Sequence, residues 1–177
     1  MTSSLSNLVG QELIWIPTAL FKSRYDLTAS DGRKLATLDM SNWNSKAHAT
    51  VSGEAFFIRK ENWLGLKVSI YAAEQGPLIA IYQRKWTGTS GKLVFLNGRS
   101  FQWGRINFWG TQKAWTDPAG TTPYVQLSVT GFSRKSNVLI HPQATNIPEL
   151  SLLVVLGLYN IIVERRNAEA ASSAATV

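Results

Sequence analysis

The chain has 177 residues, 45% of them apolar and 16% charged, which suits a single domain with a sizeable core and excludes a disordered chain. It contains no cysteine, so disulfides and thiolate metal sites are excluded. Eighteen Lys and Arg against eleven Asp and Glu give a net charge of +7, which tilts partner choice toward anions such as lipid headgroups or nucleic acid.

The opening MTSSLSNLVGQE has neither a basic segment nor a long apolar run, so no signal peptide is predicted, and residues 1–11 are expected to be a flexible tail. Strand signals then fill residues 12 to 141 as alternating runs, beginning with ELIWI and including RKLATLDM, LKVSIYA and YVQLSVT. Gly32, Gly76 and Gly120 recur at intervals of 44 residues. Each follows an acidic residue and precedes an apolar run, the pattern of a hairpin turn with one residue at positive φ. SGEAFFIRKENWLG (52–65) aligns with NGRSFQWGRINFWG (97–110), matching Gly53 to Gly98, Phe56 to Phe101, Asn62 to Asn107 and Gly65 to Gly110. A repeat of four strands follows. The first covers about 18–28, 33–41, 47–52 and 54–60, and the second about 62–72, 77–86, 91–97 and 99–105. The third covers about 107–117, 122–131 and 136–141, and its vacant fourth place is filled by 12–16.

The chain closes with IPELSLLVVLGLYNIIVERR, apolar around the whole helical wheel between Leu150 and Val163. Those residues make roughly 21 Å of helix, whereas a bilayer span needs about 20 apolar residues. A helix apolar all round and too short to span belongs inside a protein. Pro148 and Glu149 suit its first turn, and Arg165 and Arg166 suit its C-terminal dipole, which places it at about 148–166. Three four-stranded blades are too few for a propeller. A ring of twelve strands encloses more space than its own side chains fill. The predicted fold is therefore mainly β: a closed antiparallel barrel of about 12 strands, in three four-strand repeats, around a buried hydrophobic C-terminal α-helix. The wall is expected to come close at Ser151 and Gly157. The domain spans 12–166, and NAEAASSAATV (167–177) is expected to be a second flexible tail.

That closing helix and the hairpin repeats before it, together residues 12–166, resemble the tubby C-terminal-like superfamily. The group includes the tubby domain, the phospholipid scramblases and the LURP-one-related proteins. NWLG and NFWG at strand starts and the ending LLVVLGLYNIIVERR bring it nearest to small single-domain members. HPQATNIPE stands where scramblases carry an acidic calcium-site segment, and there is no cysteine to palmitoylate and no Pro-rich arm, all of which argue against scramblase activity. The resemblance implies a non-enzymatic domain that binds phosphoinositide or another membrane lipid.

No catalytic residue, metal site or cofactor is predicted. His48 and His141 lack partners at metal or triad spacing, and GTSGK (88–92) lacks the first glycine of a phosphate loop, Trp86 standing in its place. Asp31, Glu74 and Asp117 recur with the repeat as turn residues. In an up-and-down barrel the turns alternate between two ends. One end collects the acidic turns, and the other is expected to form a basic rim. The candidate anion- or lipid-binding residues there are Lys46, Arg59, Lys60, Arg84, Lys85, Arg134 and Lys135, joined by Arg165 and Arg166 where the helix emerges. Trp43, Trp63, Trp86 and Trp109 fall near the same end, a combination suited to an anionic membrane interface. The expectation is a cytoplasmic or peripheral membrane binding domain. The alternatives are a single-stranded nucleic-acid binder, with GRSFQWGRINFWG as stacking platform, and a structural or protein-interaction module. Against the nucleic-acid reading, Phe101, Trp103 and Phe108 keep register with Phe56 and Trp63, as barrel core would. An exposed strand face of aromatics would favour nucleic acid, and an exposed rim of Trp, Lys and Arg would favour lipid.

Overall fold

The computed structural model describes residues 5–18, 23–62, 64–130 and 133–175, so Trp63 and parts of the expected strands 18–28 and 122–131 lie outside the described residues. Twelve antiparallel strands are paired in sequence order, and the first closes the ring on the last. The first six are β1 (Glu12–Pro17), β2 (Ser23–Thr28), β3 (Lys34–Met40), β4 (Ala47–Val51), β5 (Glu54–Lys60) and β6 (Lys67–Ala72). The others are β7 (Leu78–Arg84), β8 (Gly91–Phe95), β9 (Ser100–Arg105), β10 (Gln112–Thr116), β11 (Pro123–Val129) and β12 (Ser136–Ile140), followed by helix α1 (Leu150–Ala174). The repeat is visible as geometry. β2, β6 and β10 each carry a register shift near the same end, at Leu27/Thr28, Ile70/Tyr71 and Trp115/Thr116.

The period-2 pattern fills the barrel. In β4, Ala47, Ala49 and Val51 are buried while His48 and Thr50 face out; in β8, Leu93 and Phe95 are buried while Lys92 faces out. Apolar inside and polar outside is the inverse of a membrane-spanning barrel. Small inward residues, among them Ala36, Ala49, Ala80 and Ala114, leave room for α1, of which Leu150 and Leu152 to Val163 are buried. Among the described residues no helix is long and apolar enough to cross a membrane. At Gly157 a β-carbon would stand 2.6 Å from Leu127 Cδ1, so the helix meets the wall closely there and a larger residue would have to push the Leu127 side chain aside. Ser151 is half-buried and lines an open cavity together with Ser52 and Glu54 of the β4–β5 hairpin.

Gly32 and Gly120 do turn with φ of +82° and +77°. In the second repeat the left-handed residue is Ala73 (φ +66°). Gly76 is required there for a different reason, since a β-carbon would lie 1.5 Å from the Ala72 carbonyl oxygen.

Both expected tails are structured in part. Leu5–Leu8 form a 3₁₀ turn with Leu5 and Leu8 buried in the core. α1 runs on to Ala174, because a helix already nucleated inside the barrel adds residues at little cost, and alanine adds them best.

Candidate functional site

The end of the barrel where α1 leaves, here called the mouth, carries the turns β3–β4, β5–β6, β7–β8, β9–β10 and β11–β12. The opposite end, the base, holds the acidic turns. There Asp31 is held below the usual carboxylate range by the Arg33 backbone N–H and guanidinium, and Asp117 by the N–H groups of Thr122 and Thr121. Glu149, at the start of α1, pairs with Arg99 at 3.1 Å.

At the mouth the side chains fall into three groups. The outermost is apolar. Among the described residues eight large apolar side chains are exposed, and six of them stand on mouth turns: Trp43, Leu64, Trp86, Ile106, Phe108 and Trp109. Trp43 is 97% exposed, Phe108 89%, Trp86 82% and Trp109 81%. Such a set of exposed rings departs from the ordinary scatter of single surface hydrophobics. Phe108 is a correction, since its register with the core residues predicts burial. Its turn begins at Asn107, whose Oδ1 accepts the Gln112 N–H at 3.0 Å, and strand parity does not carry across that turn. Ile106 and Leu64 carry no distinguishing signal beyond their places beside Asn107 and Gly65. The nucleic-acid platform loses its strand residues, because Phe101 and Trp103 are buried.

The second group is basic and exposed. Lys46, Lys85 and Arg105 are exposed beside the apolar tips, Lys135 is exposed on the β11–β12 turn, and Lys60 is half-exposed, its stem lying against Gly65. Arg59 is less available. It pairs with Glu61 at 3.1 Å, donates to the Tyr71 hydroxyl at 2.9 Å and stacks over that ring.

The third group lies within the mouth. Arg84 is a correction: it points into the barrel and is 4% exposed, donating through Nη2 to Asn160 Oδ1 of α1 at 3.3 Å. The parity of β7 explains this, for Ala80, Tyr82 and Arg84 are its inward residues. Among the described residues its Nε and the Asn160 Nδ2 are buried without a partner, and the buried Tyr82 hydroxyl lies beside the guanidinium. Lys113 is ion-paired with Glu164, which also accepts from Trp103 Nε1 at 3.1 Å. Burial, then the charges of Arg105 and Arg84, pull Lys113 down to about 8, while Glu164 opposes that pull. Arg165 donates to the Ser133 carbonyl at 3.2 Å. Arg166 donates to the Ser41 carbonyl at 2.9 Å, Ser23 Oγ at 2.7 Å and Asn42 Oδ1 at 3.2 Å. Arg134 stacks over Tyr25, 5.6 Å from the ring centroid. Arg134, Arg165 and Arg166 line one cavity of about 140 Å³ together with Ser23, Tyr25 and Glu169. The mouth therefore brings together eight of the nine expected residues and withdraws Arg84 into the core.

The two histidines have ordinary surroundings. His48 lies on the outer wall 4.0 Å from Glu74, and His141 Nε2 lies 3.2 Å from Gln126 Oε1, with burial lowering its pKa. GTSGK forms the β7–β8 turn and the start of β8. Among the described residues no three His, Cys, Asp or Glu side chains converge as metal ligands would.

No protein-family model matches the chain, and no curated protein matches it. Among solved structures it is similar to the X-ray structure of a protein from Arabidopsis thaliana, with a TM-score of 0.54 and 9% identity over 89% of this chain and 96% of that one. At that identity the likeness concerns the fold alone.

Proposed function

We propose that this chain is a non-enzymatic binding domain that docks on anionic membrane surfaces through the mouth of its barrel, and that it belongs with the tubby C-terminal-like superfamily. The twelve-stranded ring closed around a hydrophobic C-terminal helix supports the family reading. One observation carries the functional reading: the exposed rings Trp43, Trp86, Phe108 and Trp109 share the mouth with the exposed cations Lys46, Lys85, Arg105 and Lys135. Indole settles at headgroup depth, and a cation near an anionic leaflet adds about 1 kcal/mol. Both groups stand outside the core, on mouth turns or, for Arg105, at the end of β9.

The test is co-sedimentation with phosphatidylcholine vesicles and with vesicles containing phosphatidylserine, at low and high salt. Binding is expected to the anionic vesicles, weakening with salt. Replacing Lys46 and Lys85 together by Gln removes about 2 kcal/mol, roughly a 30-fold loss of affinity, and Trp43→Ser with Trp86→Ser weakens binding at high salt as well. Absence of binding to both vesicle types overturns the proposal.

A further inference from the structure

We infer that the cavity between β2 and the emerging helix is a socket for a phosphate monoester, built from Arg134, Arg165 and Arg166 with the hydroxyls of Ser23 and Tyr25. Among the described residues, it lies in a sector of the mouth without exposed apolar tips. Those tips stand on the turns from β3–β4 to β9–β10, whereas the cavity is bounded by β2 and the β11–β12 turn. Three arginines line it, and the oxygens that already hold Arg165 and Arg166 in place are neutral: carbonyls, a hydroxyl and an amide. Two of the arginines are thereby fixed in position by neutral oxygens, and the carboxylate whose charge reaches Arg166 is that of Glu169. A guanidinium presents a planar fork of donors that matches phosphate oxygens, and a preset fork loses little entropy on binding.

The size and charge of the cavity narrow the ligand class. About 140 Å³ is well below the roughly 300 Å³ at which pockets for drug-sized ligands begin, so the cavity takes a phosphate group with a short stem. A monoester carries up to two charges and three free oxygens, one for each guanidinium. A phosphodiester offers one charge and two oxygens.

Among the described residues Glu169 is the one carboxylate lining the cavity, one helical turn beyond Arg165. It belongs to the part of α1 that continues past Arg166 for eight residues, about 12 Å, to Ala174. Glu169 competes with an incoming phosphate for the same three cations, and the basic socket carries its own weak antagonist.

The inference rests on the docking reading for the source of the phosphate, a lipid headgroup, while the chemistry can be probed without a membrane. Two vesicle types of equal surface potential, one with phosphatidate and one with phosphatidylserine, are compared by co-sedimentation. Glycerol 3-phosphate is titrated separately by NMR. The socket gives about a 10-fold preference for phosphatidate. Arg134→Gln abolishes the preference while lowering phosphatidylserine binding by no more than the loss of one surface cation, about 5-fold or about 1 kcal/mol, and Glu169→Gln increases the preference several-fold. Equal binding of the two vesicle types overturns the socket and leaves the docking reading intact. If neither vesicle binds but glycerol 3-phosphate shifts Arg165 and Arg166 resonances in the wild type and not in Arg134→Gln, the socket holds and the docking reading fails. Silence in every arm overturns both.

Discussion

Replacing Arg84 by Met should make this protein more stable. The guanidinium is 4% exposed, its partner among the described residues is the neutral Asn160 Oδ1 at 3.3 Å, and its Nε has no partner. Holding a charge in such a place costs several kcal/mol after relaxation. Against that relief, Arg84→Met leaves the Asn160 oxygen without a donor, worth about 1–3 kcal/mol, and gives up a long 5.9 Å approach to the Tyr82 ring, worth under about 1 kcal/mol. Met is flexible enough to fill the vacated channel. The balance is a gain of about 1–2 kcal/mol, and in a chain of this size each kcal/mol moves Tm by about 2–4 °C. Urea unfolding followed by tryptophan fluorescence should show a higher midpoint with an unchanged slope. Asn160→Leu tests the same contact from the other side. It strands the guanidinium and should cost about 2–3 kcal/mol, whereas the double variant should return to wild-type stability or better. A loss of 1 kcal/mol or more in Arg84→Met would refute the reasoning. It would mean that a counter-charge reaches Arg84 inside the barrel, with Glu164, the partner of Lys113, as a candidate.

Three further outcomes follow from the core and the mouth. Burial pushes Tyr82 and Tyr159 up to about 12 from an ordinary 10, so the folded chain keeps two protons that the unfolded chain releases. Their contribution to stability is complete below pH 10 and is lost as pH rises from 10 to 12, with absorbance at 295 nm and chemical unfolding as paired readouts. Gly157→Val sets new carbon against Leu127 and should cost about 1–3 kcal/mol in urea, despite the poor helix propensity of glycine. Glu164→Gln leaves Lys113 buried without its counter-charge and frees the mouth end of α1 from β9 and β10. We expect a loss of about 3 kcal/mol, with faster amide exchange confined to the last turns of the helix.

Most of the architecture could be read from pattern, because a barrel with a filled interior writes its geometry into side-chain parity. The 44-residue interval located the turns, and a helix apolar on every side had to be enclosed. What escaped had specific physical causes. Arg84 sits at the end of β7, where a basic residue beside a turn suggests solvent, yet its parity with Ala80 and Tyr82 aims it inward. Phe108 and Trp109 follow a strand end, and parity loses meaning once the chain turns at Asn107. The cavity of three arginines joins residues from β2, the β11–β12 turn and α1, a meeting that depends on where the helix leaves the ring. Leu5 and Leu8 make too short a segment to show any period.

The order of the parts along the chain has a consequence for how the molecule comes into being. A nascent chain emerges strand by strand, but the residues that fill the barrel, Leu150 to Val163, are made after all twelve strands. Until they arrive, the ring has nothing to close around, and the seam joining Glu12 to Leu139 must wait for the far end of the chain. Pairing across so long a separation is slow, and in the interval β1 and β12 are open edges bordering a wet, apolar trough. The finished domain has no free edge, while its precursor has two, so synthesis is the stage at which this barrel is most exposed to aggregation.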